Sequence, residues 1–163
     1  MIFKNISKSF YLNIIFILCI FALDRISKVY VINLSNKALV SEIFSSKFLN
    51  ISLIWNEGIA FGLFSFDQTY FYNLLTAIIS IVIFIVLMMV VKSAGLKKYA
   101  LMMILGGAIG NLYDRIFFKA VPDFIDFYIG EFHWFIFNVA DIFITIGVLF
   151  MVIIELTDKK QKI

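Results

Sequence analysis

The chain has 163 residues, 63% of them hydrophobic, with 20 Phe and a mean hydropathy of +1.01. Soluble domains hold roughly 45–50% apolar residues, so this composition points away from them and toward one integral membrane domain, residues 1–163. The charge of +3 is modest, no basic patch interleaved with aromatics points to nucleic acid, and one Cys with one His makes a protein-held transition metal unexpected.

The first apolar run, about residues 10–31, follows Lys4 and Lys8. A signal peptide competes as a reading, but Asp24-Arg25-Ile26-Ser27-Lys28 follows in place of a small-residue cleavage site. A retained transmembrane helix is expected. Cys19 lies inside it and reads as a small apolar side chain. Asp24 and Lys28 are four apart, share a helix face and can pair, either as an interfacial salt bridge or in support of a site.

From about 33 to 66 the pattern changes. Leu49, Ile51, Leu53 and Trp55 alternate with Asn50 and Ser52, which predicts a strand over Phe48–Trp55. Asn56-Glu57-Gly58-Ile59-Ala60-Phe61-Gly62 follows, two glycines among aromatics, and reads as a tight non-helical turn at the membrane surface. A plain surface loop is the competing reading.

A second apolar run spans about 69–91, a polar turn Ser93–Lys98 follows, and a third run spans about 99–118. The third carries Gly106, Gly107 and Gly110, small residues that permit close helix packing. It also carries Asn111, Asp114 and Arg115, which share one face and need partners inside the protein. Residues 119–134 are expected to be a connection, and the fourth run is expected over about 135–156. The expected fold is therefore mainly α: a four-transmembrane-helix bundle with a small extracytoplasmic β-sheet between helices 1 and 2.

Asp123 precedes the last connection, and Asn138 and Asp141 open the fourth run. An acid in or at the edge of a membrane helix is costly and marks a functional site by default. Two close together point to a carboxylate pair sharing a proton, the apparatus of aspartic proteases. Asp141, near a helix N-terminus, is expected to be the more readily ionised. Lys4, Lys8, Lys92, Lys97, Lys98, Lys159, Lys160 and Lys162 all fall on the side of the two termini, which places that side in the cytoplasm and the unusual polar residues near the outer face.

These blocks resemble the bacterial lipoprotein signal peptidases, also called signal peptidase II, over nearly the whole chain. The resemblance rests on Asp24 with Lys28, on Asn56 through Gly62, on Gly107-x-x-x-Asn111-x-x-Asp114-Arg115, on Val121-Pro122-Asp123-Phe124-Ile125, and on Phe137-Asn138-Val139-Ala140-Asp141. It implies a membrane aspartic endopeptidase that removes signal peptides from diacylglyceryl-modified prolipoproteins, cutting just before the lipidated Cys. Asp123 and Asp141 would be catalytic. Asp24, Lys28, Asn56, Gly58, Asn111, Asp114, Arg115, Asn138 and Ala140 would bind substrate or support the site. No metal or cofactor is required. The expected partners are prolipoprotein signal peptides with their diacylglyceryl-Cys and membrane lipids, with no nucleic acid and a monomeric enzyme. The expected location is the bacterial cytoplasmic (inner) membrane, multi-pass, with both termini cytoplasmic. The alternative is a small proton- or cation-coupled transporter subunit using the same acids as a relay.

Overall fold

The computed structural model describes residues 8–39, 42–58 and 68–160. In chain order the elements are α1 (Lys8–Ala38), β1 (Glu42–Ser45), β2 (Leu49–Asn56), α2 (Gln68–Lys92), α3 (Gly95–Phe118), β3 (Val121–Ile129), β4 (Phe132–Phe137) and α4 (Val139–Lys160). Among the described residues, three helices are long and apolar enough to cross a membrane: Tyr70–Lys92, Gly95–Phe118 and Val139–Thr157. Their apolar faces are mostly uncovered. Only 6% of the α2 span is buried, so most of its apolar surface is left uncovered by the described residues and suits lipid.

Helix α3 is the exception, with 44% of its span buried, and it packs against α1, α2 and α4. Its glycines allow this. A Cβ on Gly110 would stand 2.5 Å from Asp24 Oδ2 of α1, and one on Gly107 would stand 2.5 Å from the Ala140 carbonyl oxygen of α4. A side chain at Gly107 would push α4 away, and one at Gly110 would displace the Asp24 carboxylate. Below this junction Val90, Leu101, Met102 and Leu105 form the apolar core, with Phe16, Ile83 and Met151 packed on it.

The four strands form one antiparallel sheet in the order β1-β2-β3-β4. Three expectations need correction. The connection over 119–134 is not a loop: it holds β3 and the start of β4, so half of the sheet lies between α3 and α4 rather than between helices 1 and 2. The fourth helix starts at Val139 and not near 135, because Phe132–Phe137 pairs with β3. The hairpin turns on Gly130 and Glu131, with Ile129 opposite Phe132 and Gly130 at φ +62°, a backbone that glycine adopts without strain. The polar turn expected over 93–98 is also shorter, since α3 already begins at Gly95.

Candidate active site

Four elements, β2, α3, β3 and α4, deliver polar side chains to one place. Helix α3 ends at a left-handed Lys119 cap (φ +59°), and β3 leaves directly from it. Asp123 is therefore carried close to the end of α3 and is only 4% exposed. Strand β2 runs beside it: Asn56 is opposite Val121, which makes Asn56 and Asp123 diagonal neighbours on one face. The Asn56 side-chain amide donates to Asp123 Oδ2 at 2.9 Å. Its own oxygen accepts the Gly58 N–H at 2.8 Å, a local turn that fixes which end of the amide faces Asp123. Gly58 sits at φ +75°, which favours glycine. Ile59 through Gly62, the rest of that matched stretch, lie outside the described residues.

Asn138 is the N-cap of α4 and is fully buried. Its Oδ1 accepts the Asp141 N–H at 3.2 Å, while Asp141 Oδ2 accepts the Asn138 N–H at 3.1 Å. This reciprocal pair is a capping box, built here from Asn and Asp. The Asn138 Nδ2 remains free to donate to Asp123 Oδ1, at 2.6 Å. One side chain thus links both candidate carboxylates. The second Asp141 oxygen, Oδ1, accepts from Asn111 Nδ2 at 2.8 Å. Asp141 is close enough for its charge to act on Asp123. Burial pushes the Asp123 carboxyl above the usual carboxylate range; the bonds from Asn56 and Asn138 oppose that rise, the Asp141 charge adds to it, and Lys28 opposes it.

Behind the acids lies a cluster of charges. The Lys28 ammonium, with no exposed side-chain surface, donates to Asn111 Oδ1 at 2.8 Å, to Asp114 Oδ2 at 2.7 Å and to Asp24, whose nearer oxygen is 2.9 Å away. Asp24 Oδ1 also accepts the Ala140 N–H at 3.1 Å, so α1 caps the first turn of α4. Ala140 is fully buried, and its backbone carbonyl lies against Gly107 of α3.

The sequence-selected residues divide accordingly. Asn56, Asn111 and Asn138 touch the candidate acids directly. Asp24, Lys28 and Ala140 act one bond further back, and Gly58 orients Asn56. Asp114 bonds Lys28 and Arg25 rather than either acid. Arg115 turns back onto the Asn111 carbonyl at 3.2 Å, and among the described residues its buried Nε has no partner. Arg25 was missed by sequence reasoning. Its guanidinium grips Asp114 with two bonds, 2.5 and 2.7 Å, and reaches Asp24 at 3.0 Å. The available signal was a third charge in the turn that holds Asp24 and Lys28. Beside Asp141 opens a cavity of about 200 Å³ lined by Phe135, Phe137, Ile142, Thr145 and Ile146.

Fold and site together describe a membrane protein with two acids held by asparagines at one end of its helices. The family model described as "Signal peptidase (SPase) II" matches residues 16–157. The chain is 48% identical over 155 residues to a lipoprotein signal peptidase of Pelagibacter ubique, covering 95% of this chain and 93% of that one. It is 38% identical over 150 residues to one of Anaplasma marginale, covering 91% and 86%. A solved structure described as a bacterial membrane enzyme, at 2.3 Å resolution, superposes with a TM-score of 0.72 at 30% identity, over 93% of this chain and 91% of that one. The chain belongs to the signal peptidase II family, and it is a protease of membranes.

Proposed function

We propose that this chain removes signal peptides from diacylglyceryl-modified prolipoproteins by aspartic catalysis at Asp123 and Asp141, cutting just before the lipidated Cys. The carrying observation is Asn138, whose amide donates to Asp123 while its oxygen and backbone cap Asp141. An arrangement that spends one buried side chain on holding two acids fits a carboxylate pair better than two unrelated structural acids.

The chemistry follows from the environments. Two neighbouring carboxyls share one proton. The direction in which burial moves Asp123 favours that acid as its holder. Asp141 then takes a proton from water as the water oxygen bonds the scissile carbonyl carbon. Asp123 gives its proton to the carbonyl oxygen, forming a neutral tetrahedral intermediate. On collapse, Asp141 passes its proton to the leaving Cys nitrogen, the C–N bond breaks, and Asp123 recovers a proton from the intermediate's hydroxyl. Both acids finish as they began. The apolar cavity beside Asp141 suits a lipid-borne or apolar substrate group next to the attacked bond.

Four spans are part of this reading. Helix α1 has 31 residues, more than the ~20 needed to cross a bilayer, and its charges at 24, 25 and 28 are satisfied by α3 and α4 instead of facing lipid. Both termini then lie in the cytoplasm beside the Lys-rich ends, and the sheet and acids lie at the outer face of the bacterial inner membrane, where a monomer meets its lipid-anchored substrate. The test is cleavage of a lipid-modified preprotein by purified wild-type and Asp141→Asn protein. Product from wild type and none from the folded variant is expected; an active Asp141→Asn overturns the assignment.

A further inference from the structure

The buried cluster behind Asp141 contains two anions, Asp24 and Asp114, and two cations, Arg25 and Lys28. Asp24, Lys28 and Asp114 are fully buried, and the Arg25 side chain is 16% exposed. Every proton of the Lys28 ammonium is committed: one to Asp24, one to Asp114 and one to Asn111. The last of these matters to the acids, because Asn111 uses its other end to hold Asp141. A second cation shares the two carboxylates with Lys28. That cation is Arg25. It covers both Asp114 oxygens with a planar fork, lies against the Tyr113 ring at 4.9 Å, and donates to Asp24 through both Nε and Nη2.

We propose that Arg25 is a positioning residue of the peptidase site, closing a neutral four-charge cage that leaves Lys28 to hold Asn111, and through Asn111 to hold Asp141. Without the guanidinium, two buried carboxylates compete for one ammonium. An uncompensated buried charge is strongly unfavourable, and the relief within reach is for Lys28 to move toward the carboxylates and release Asn111. The Asn111 amide is then free to turn, and Asp141 loses the bond to Oδ1. None of the four cage residues lines the apolar cavity beside Asp141 that is proposed for the substrate, so the damage is expected in the chemical step. This inference rests on the reading of Asp141 as catalytic.

The test uses full-length enzyme in detergent or lipid, a lipid-modified preprotein as substrate, and folding checked by thermal unfolding. Arg25→Gln should lower kcat by about 100-fold, the scale on which small misplacements of a reacting group act, with KM within about twofold of wild type. Arg25→Lys keeps the charge and should recover to within about tenfold of wild type; it loses the fork and should not recover fully. The double variant Arg25→Gln/Asp114→Asn restores neutrality and should be faster than either of its single variants. If Arg25→Gln fails to fold, the comparison of the double variant with Asp114→Asn alone decides the matter. A folded Arg25→Gln with wild-type kcat, a loss that appears wholly in KM, or a double variant no faster than Asp114→Asn overturns the proposal. Wild type that does not cleave, or an Asp141→Asn that does, defeats the underlying function and takes this inference with it; wild-type cleavage lost in Asp141→Asn but retained in Arg25→Gln defeats the inference alone.

Discussion

Asn138 and Asp141 cap each other: the backbone N–H of each donates to the side-chain oxygen of the other, at 3.1 and 3.2 Å. The first turn of α4 is thus closed by a candidate catalytic acid, and folding of that turn sets where its carboxyl points. Replacing Asp141 by Asn keeps one acceptor oxygen but turns an NH2 toward Asn111 or toward the Asn138 N–H, both of them donors. The expected cost is about 1 kcal/mol in unfolding, together with complete loss of turnover. Asp123→Asn should also abolish turnover, and the double change should cost little more than either single one because the acids act as a unit. Cleavage assays run beside thermal unfolding separate the two effects; a folded Asp123→Asn cleaving near the wild-type rate would show that another acid does the work.

Asn138→Ala removes the cap and the link to Asp123 together. Loss of an N-cap costs about 0.5–2 kcal/mol, so the protein should unfold at lower temperature. Its kcat should fall further than that stability change alone would explain, since Asp123 loses a 2.6 Å bond. Activity measured well below the unfolding midpoint discriminates: a normal kcat there would mean Asn138 serves the fold only.

Two glycine substitutions should behave differently. Gly147→Ala puts a Cβ 2.7 Å from the Ala100 carbonyl oxygen, far along α4 from the acids, and should cost about 1–3 kcal/mol as overpacking while kcat per folded molecule holds. Gly110→Ala meets Asp24 Oδ2 at 2.5 Å and should damage both stability and kcat, because Asp24 holds the Ala140 N–H. Equal kcat losses in the two variants would contradict this.

The buried Asp123 carboxyl provides a pH test. Its folded value lies above the ordinary 3.8, so the folded protein binds that proton more tightly than the unfolded chain. The resulting stability is fully present below 3.8 and is lost as pH rises through the folded value. Asp123→Asn cannot lose it. The midpoint of the variant relative to wild type should therefore improve steadily as pH rises across that window. A difference that stays flat with pH would mean that Asp123 carries no such shift.

Asp126 serves as a control. It is 3% exposed, yet it faces His133 at 2.8 Å rather than the Asn138 amide. Asp126→Asn should retain much of the activity. An inactive Asp126→Asn beside an active Asp141→Asn would exchange the two assignments.

The polar residues that stand out in the sequence are the ones that meet in space, because a charge inside an apolar run has few places to go. Lys28 is the clearest case: once Asp24 lay four residues away, a buried partner was foreseeable. Its bonds to Asn111 and Asp114 are contacts between helices and left no mark on local spacing. The second half of the sheet was hidden for a different reason. Phe132 through Phe137 is as apolar as the helix after it, so hydrophobicity alone could not place the boundary. The boundary was nevertheless written in Asn138-x-x-Asp141, a cap spacing that begins a helix at Val139. Arg25 escaped because adjacent helix positions point apart, and only the approach of α3, permitted by Gly110, brings Asp114 within its reach.

Among the described residues, the groups that hydrogen-bond the two acids are amides: Asn56, Asn111, Asn138 and one backbone N–H. An amide neither gains nor loses a proton at any pH the cell meets. If a shared proton passes from acid to substrate and back as proposed, the donors that hold the acids keep the same charge throughout. On the proposed reaction, the donors holding the acids therefore need no change of charge between one cut and the next.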